Sequence, residues 1–377
     1  MLRLEKRAEP SAVWGYVTPF LAVLLTMIVG GLVLGFVKDP DPDLAAGRFA
    51  QAIANGAEAI RVIFWDPLFH PQFSGFLRGE LLVKAGPLIL IAIGLSVGFR
   101  AGIWNIGAEG QYIIGAICGA AFGLAFYPSE HPLIFPGMVV AGALGGLAWA
   151  MIPALLKVLA RTNEILVSLL LVYVAESILA LAATGFLRNP DGLGFPGSRN
   201  LARHPGTDNP ELFDGTGIHW GVIAAFGVVA IAFVLFQAHR FGYQVKLAGQ
   251  APRAARFHGV QPARLIVACL AISGALAGLA GLFEVAGPAG QISIDFNVGY
   301  GFTAIIVAFL GRLNPIGILF AGLLMALTYV GGGLAESQLR LPASAIQVFQ
   351  GLLLFFLLAL DVLSNYRVRI GTQEVAA

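Results

Sequence analysis

Apolar stretches of 16 to 24 residues recur along the whole of this 377-residue chain. That repetition constrains the fold more than any single motif. About 20 apolar residues in helical form cross the hydrocarbon core of a bilayer, and only helices or closed barrels satisfy the backbone there. Hydrophobic residues make up 58% of the sequence and charged residues only 12%, roughly half the charge of an ordinary soluble domain. With a mean hydropathy of +0.82, the chain reads as an all-α, polytopic membrane protein. No large soluble domain fits, so residues 1–377 are taken as one membrane-spanning domain.

Ten spans are expected, near 14–37, 83–99, 111–127, 133–156, 165–184, 217–238, 263–286, 296–311, 314–332 and 344–363. The first is longer than a signal-peptide core and lacks a small-residue cleavage site, so it is read as retained. The eighth is the weakest. Its clean apolar part, Phe302 to Leu310, covers about half the core as a helix and suggests a half-helix or re-entrant segment. Forty-eight glycines suit close helix packing in lipid.

Loop charge orients the bundle. Arg3, Lys6 and Arg7 lie at the N-terminus, Arg367 and Arg369 in the tail. Residues 239–264 carry five basic side chains and no acid. Residues 38–80 hold four basic and six acidic residues, and 185–216 three and four. The positive-inside rule places both termini and the 239–262 loop in the cytoplasm, and the two mixed loops outside. Phe49, Ile53, Ile60, Ile63 and Phe64 recur at helical spacing within 44–65. They predict an amphipathic helix on the membrane surface or against the bundle. Residues 131–150 and 314–330 share a His/Asn-Pro start and an Ala-Gly-containing apolar run. This is compatible with an inverted repeat or with chance similarity.

Between Gly94 and Gly115 the apolar text breaks. Arg100, Asn105, Glu109 and Gln111 stand among Gly102, Gly107 and Gly110 before apolar residues resume at Tyr112. Such groups are costly in lipid unless buried in protein or lining a water-filled path. From the residues alone this is either a turn between spans, with Arg100 snorkelling, or a broken helix on a substrate path. Glu176 and Glu284 are two further acids within or beside spans. Glu284 lies near a span end where it can be solvated, and Arg161 is spaced to pair with Glu164. Asn314 and Pro315 interrupt the apolar text a second time. Cys118 and Cys269 read as small buried hydrophobes. There is no nucleotide-binding loop of the form G-x-x-x-x-G-K-S/T and no H-E-x-x-H or C-x-x-C. The chain is therefore not expected to be an enzyme, to hydrolyse ATP or to hold a metal. Its net charge of +2, spread over short loops, gives no nucleic-acid footprint.

The run FRAGIWNIGAEGQ (99–111) closely resembles the motif that nucleoside-type ABC importer permeases carry after their second helix. These belong to the wider group that moves simple sugars and branched-chain amino acids. The likeness extends from about residue 80 to 363 and includes 302–326 and 346–363. Ala251 to His258 is expected to form a short helix with Pro252 in its first turn and Gly259 as its stop. By charge alone it is a topology-fixing loop. Arg253 and Arg256, three apart on one face, alternatively suit docking onto a soluble cytoplasmic partner, and the Pro252, Ala254, Ala255 and Gly259 pattern is similar to the family's ATPase-coupling loop. One departure is Leu171, Val172 and Tyr173, where the family often has Leu-Asn-Tyr.

The resemblance implies a type II importer-like permease bundle in the bacterial inner membrane. It implies a second permease subunit, the same chain or a different one, and an external binding protein. ATP and Mg would be bound by a separate ATPase subunit, with no cofactor in this chain. The expected path residues are Trp104, Asn105, Glu109, Gln111, Tyr112, Glu176 and Asn314. Nucleosides are the expected cargo and simple sugars the runner-up. A rival is an ion-coupled secondary transporter working through Glu109, Glu176 and Glu284.

Overall fold

The computed structural model describes residues 2–6, 12–38, 47–70 and 73–370. A strand β1 (Leu2–Lys6) precedes α1 (Ala12–Val37), α2 (Arg48–Phe64), α3 (Asp66–Phe69) and α4 (Ser74–Arg100). Then come α5 (Ala108–Ala125), α6 (Ile134–Ala160), α7 (Glu164–Leu181) and α8 (Trp220–Ala238). Two short helices, α9 (Arg240–Gln250) and α10 (Pro252–Phe257), lead into α11 (Pro262–Ala286). The chain ends with α12 (Tyr300–Leu310), α13 (Pro315–Leu339), α14 (Ala343–Asn365) and β2 (Tyr366–Ile370). The protein is all-helical apart from the terminal ribbon, in which β1 pairs antiparallel with β2, Leu2 opposite Ile370.

Among the described residues nine helices are long and apolar enough to cross a membrane. The eighth expected span, 296–311, divides. Residues Ile294–Phe296 form a single 3-10 turn, and α12 has only 11 residues, about 16 Å against a core of about 30 Å. It is a half-helix.

The helices fall into two compact units, residues 1–74 with 327–377, and residues 75–326. In the first, α1 packs on α2 and α14. The expectation of an amphipathic helix is met by α2, with Ile63 buried and Ile60 and Phe64 packed against the same core, though the buried face does not include all of the expected residues. Ala52, Gly56, Ala59, Val62 and Ile63 are buried, while Phe49 and Ile53 are exposed. Small residues face α1 because the backbones nearly touch, with Gly35 against Ala52 and Gly31 against Gly56. Arg7 and residues 39–46 and 71–72 of the expected outer loop lie outside the described residues.

In the second unit α5, α6 and α11 form the tightest layer. At Gly278 the backbones of Gly142 and Gly146 crowd the space a Cβ would need, and Gly278 in turn fills that space at Gly115. Without a hydrophobic drive between helices in lipid, such close van der Waals packing is what holds them. On the outward faces Leu144, Leu159, Leu170, Ile231 and Val234 are exposed, the surface an acyl-chain environment requires. Arg161 has φ 55° and ends α6 in the left-handed conformation, so helical spacing does not carry it onto Glu164. Lys157, on the last turn of α6, pairs with Glu164 instead.

Candidate functional site: two broken helices meeting at Glu109

The first break starts where α4 ends. The N–H groups of Ala101 and Ile103 both donate to Gly98 O, each at 2.9 Å, and Gly102 supplies φ +73° for the reversal. The chain then climbs back alongside α4. Asn105 Nδ2 donates to Ser273 Oγ of α11 at 2.9 Å. Ser273 lies eleven residues beyond Pro262, the start of α11, so Asn105 sits about 16 Å in from that end, near the middle of a bilayer core. Asn105 and Gln111 exchange two side-chain hydrogen bonds, 2.9 and 3.1 Å, and Asn105 Oδ1 also accepts from Gly107 N–H. Both side chains are buried. They close the break on itself and start α5 at depth.

The second break approaches from the other end of α11. Ile292 is held by Ser198 through two hydrogen bonds, 2.8 and 2.9 Å. Phe296 stacks on Tyr112 with ring centroids 5.2 Å apart. Asn297 Nδ2 donates to Glu176 Oε1 at 3.1 Å, and Gly299 turns the chain at φ +80° into α12. The first turns of α5 and α12 then meet. Glu109 Oε2 accepts from the N–H groups of Gly301 and Phe302. A carboxylate here satisfies two of the orphan amides of α12 and complements its dipole. Gly301 has no space for a Cβ, because the backbone and carboxylate of Glu109 fill it.

The seven expected path residues thus fall into separate groups. Asn105 with Gln111 makes one node, and Glu109 with Tyr112 another. Glu176 joins the second node through Asn297. Trp104 lies apart, tilted against Phe99 with ring centroids 5.0 Å apart and stacked on Phe309 at 5.8 Å. Asn314 is exposed and caps α13, its Oδ1 accepting from Ile316 N–H at 3.0 Å. Arg100 donates to Leu313 O at 2.8 Å and lies 3.8 Å from the Phe236 ring centre. It is anchored within the protein.

The same end carries α9 and α10. The short helix Pro252–Phe257 forms as expected, and Gly259 stops it at φ +79°. Ala255 is 2% exposed, in one apolar cluster with Val97, Ile103, Ala154, Val245, Val260 and Leu265. Ile103 belongs to the first break, so α10 and that break share one apolar cluster. Arg253 and Arg256 are exposed, Ala254 is half-buried, and Phe257 is 94% exposed. Phe257 escaped the sequence reading, although an aromatic beside two arginines in a polar loop was the available signal.

A further polar group lies near the opposite end of α11. Lys84 Nζ pairs with Glu284 Oε1 at 3.3 Å and lies 5.8 Å from the Tyr300 ring centre. Glu284 is 6% exposed, so it is buried and paired rather than solvated as expected. His219, in the loop before α8, is 4% exposed, and burial with the nearby Lys84 charge pushes its pKa down to about 4. The run Gly94–Leu95–Ser96–Val97–Gly98 has the spacing of a hydrolase nucleophile elbow. Ser96 lies inside a continuous helix, however, fully buried and donating to Ile93 O at 2.7 Å. It is no strand-to-helix turn.

Thus α5 and the half-helix α12 both start at breaks in the apolar helices, and α10 shares an apolar cluster with the first of those breaks. Residues 77–358 match the family model described as branched-chain amino acid transport system, permease component. The chain belongs to this family of ABC transporter permeases. It is 32% identical to a glucose ABC transporter permease protein of Haloferax volcanii over 98% of this chain and 94% of that one. It is 28% identical to a nucleoside ABC transporter permease protein of Lactococcus lactis, covering 74% and 78%. With a guanosine ABC transporter permease protein of Bacillus subtilis it shares 25%, over 93% and 94%. No solved structure matches the chain.

Proposed function

We propose that the chain is the membrane-spanning subunit of an ATP-driven importer for nucleosides. It works beside a second permease subunit, an ATPase subunit that binds ATP and Mg, and an external binding protein. The observation that supports this reading is the apolar cluster that joins Ala255 of α10 to Ile103 of the first break. A push on α10 from a docked ATPase reaches Ile103 first, and through Asn105 and Gln111 the start of α5. Alternating access follows when the two breaks separate at Glu109. ABC permeases in general work with ATPase and binding-protein partners, and the inner membrane with a cytoplasmic α9–α10 loop is the setting that agrees with the loop charges.

Sugars are the second reading. It is favoured by the likeness to a glucose permease over nearly the whole chain. Ion-coupled secondary transport has less support. Glu109 is engaged with backbone amides, Glu176 with Asn297 and Glu284 with Lys84. The test replaces Arg253 and Arg256 by Gln in the assembled transporter and measures uptake and ATPase association. Both should fall together. Full uptake with the ATPase lost would overturn the coupling reading.

A further inference from the structure

We propose that Lys84, Glu284 and His219 form a binding site for the adjacent hydroxyls of a neutral polyhydroxy ligand, the ribose of a nucleoside or a free sugar. The proposal rests on the reading that the cargo is one of these. It begins with the imidazole. His219 Nδ1 accepts from Gly221 N–H at 3.0 Å and lies 2.9 Å from Asn209 Nδ2. Asn209 is itself held the right way round, since its Oδ1 accepts from Trp220 N–H at 3.2 Å. With Nδ1 committed as an acceptor, the proton of a neutral imidazole sits on Nε2. A pKa of about 4 keeps the ring neutral at physiological pH. Yet Nε2 is buried and has no hydrogen-bond partner among the described residues. A buried donor left unpaired is costly, and in native structures it calls for an explanation.

Lys84 lies close enough for its charge to act on the imidazole, and it pairs with Glu284 at 3.3 Å. The Lys84 side chain is 26% exposed while Glu284 is 6% exposed, so the pair has an open and a closed side. An ammonium has three donors, of which this carboxylate takes one. The cluster therefore combines a carboxylate acceptor, a cationic donor and a neutral N–H donor. An anionic ligand would be repelled by Glu284 and a cationic one by Lys84. A hydroxyl both donates and accepts, so adjacent hydroxyls match the set. One donates to Glu284 while accepting from Lys84, and its neighbour accepts from His219 Nε2–H. Nucleosides and simple sugars share this feature.

Saturation-transfer NMR on the full chain in lipid nanodiscs tests this without any ATPase. Guanosine, 2′-deoxyguanosine and glucose are the probes, against wild type, H219F and the double variant K84M/E284L, which removes both charges and leaves neither buried alone. Retention on gel filtration and helical circular dichroism check the fold. Guanosine should bind wild type about tenfold more tightly than 2′-deoxyguanosine, and both variants should erase that difference. Glucose binding that both variants abolish would also support the site and mark the hydroxyls alone as what is read. Equal binding of the two nucleosides to wild type with no glucose signal, or full discrimination in both variants, would overturn it. Failure of ATP-driven uptake would overturn the importer reading and leave this binding result standing.

Discussion

Glu109 is the residue on which the arrangement turns. Its carboxylate is fully buried and holds two amides at the start of α12. Glu109→Ala leaves both unpaired, at about 1–3 kcal/mol each, whereas Glu109→Gln keeps an acceptor. The alanine variant should lower the apparent melting temperature in detergent well beyond the glutamine variant. His219 has its own signature. Its pKa falls from 6.5 to about 4 on folding, so the fold holds the neutral form. The stability this gives is complete above pH 6.5 and is lost as pH drops toward 4, about 3 kcal/mol in all. Thermal unfolding between pH 7.5 and 4.5 should show this slope, and His219→Gln should flatten it.

At the scale of elements, the break at 100–111 was legible because polar groups and glycines interrupt apolar text in a way no span tolerates. The half-helix α12 was legible from its short apolar run. Other features left weaker traces. Lys84 stands at the edge of the expected span 83–99, where a lysine reads as snorkelling, and its partner Glu284 lies 200 residues on. Half of the buried face of α2 is Ala52, Gly56 and Ala59, small residues that give little hydropathy contrast. Helical spacing pointed Arg161 at Glu164, but the left-handed turn at Arg161 ends the helix first. Phe257 and its arginines invite a test at this scale. Phe257→Ala should weaken ATPase association about tenfold, as an aromatic anchor beside charges does at interfaces, while leaving the melting temperature unchanged. Binding of the purified subunits measures the first and a thermal scan the second.

At the scale of the molecule, the termini meet. β1 pairs with β2 residue by residue from Leu2–Ile370 to Lys6–Tyr366, so both ends lie on one side whatever the exact number of crossings. The loop charges predict that this is the side of residues 239–264. Protease protection in sealed vesicles should find tags at both ends on the same face as a site cut into that loop. Opposite faces would contradict the topology. On this proposal the two broken helices open and close around Glu109 when an ATPase docked at α10 binds and hydrolyses ATP.

The most direct test is uptake of labelled guanosine and glucose into proteoliposomes holding this chain with its neighbouring ATPase, second permease and binding protein, with and without internal ATP. The account predicts accumulation only with ATP, competed by nucleosides rather than glucose. Accumulation by this chain alone, without ATP, would contradict it.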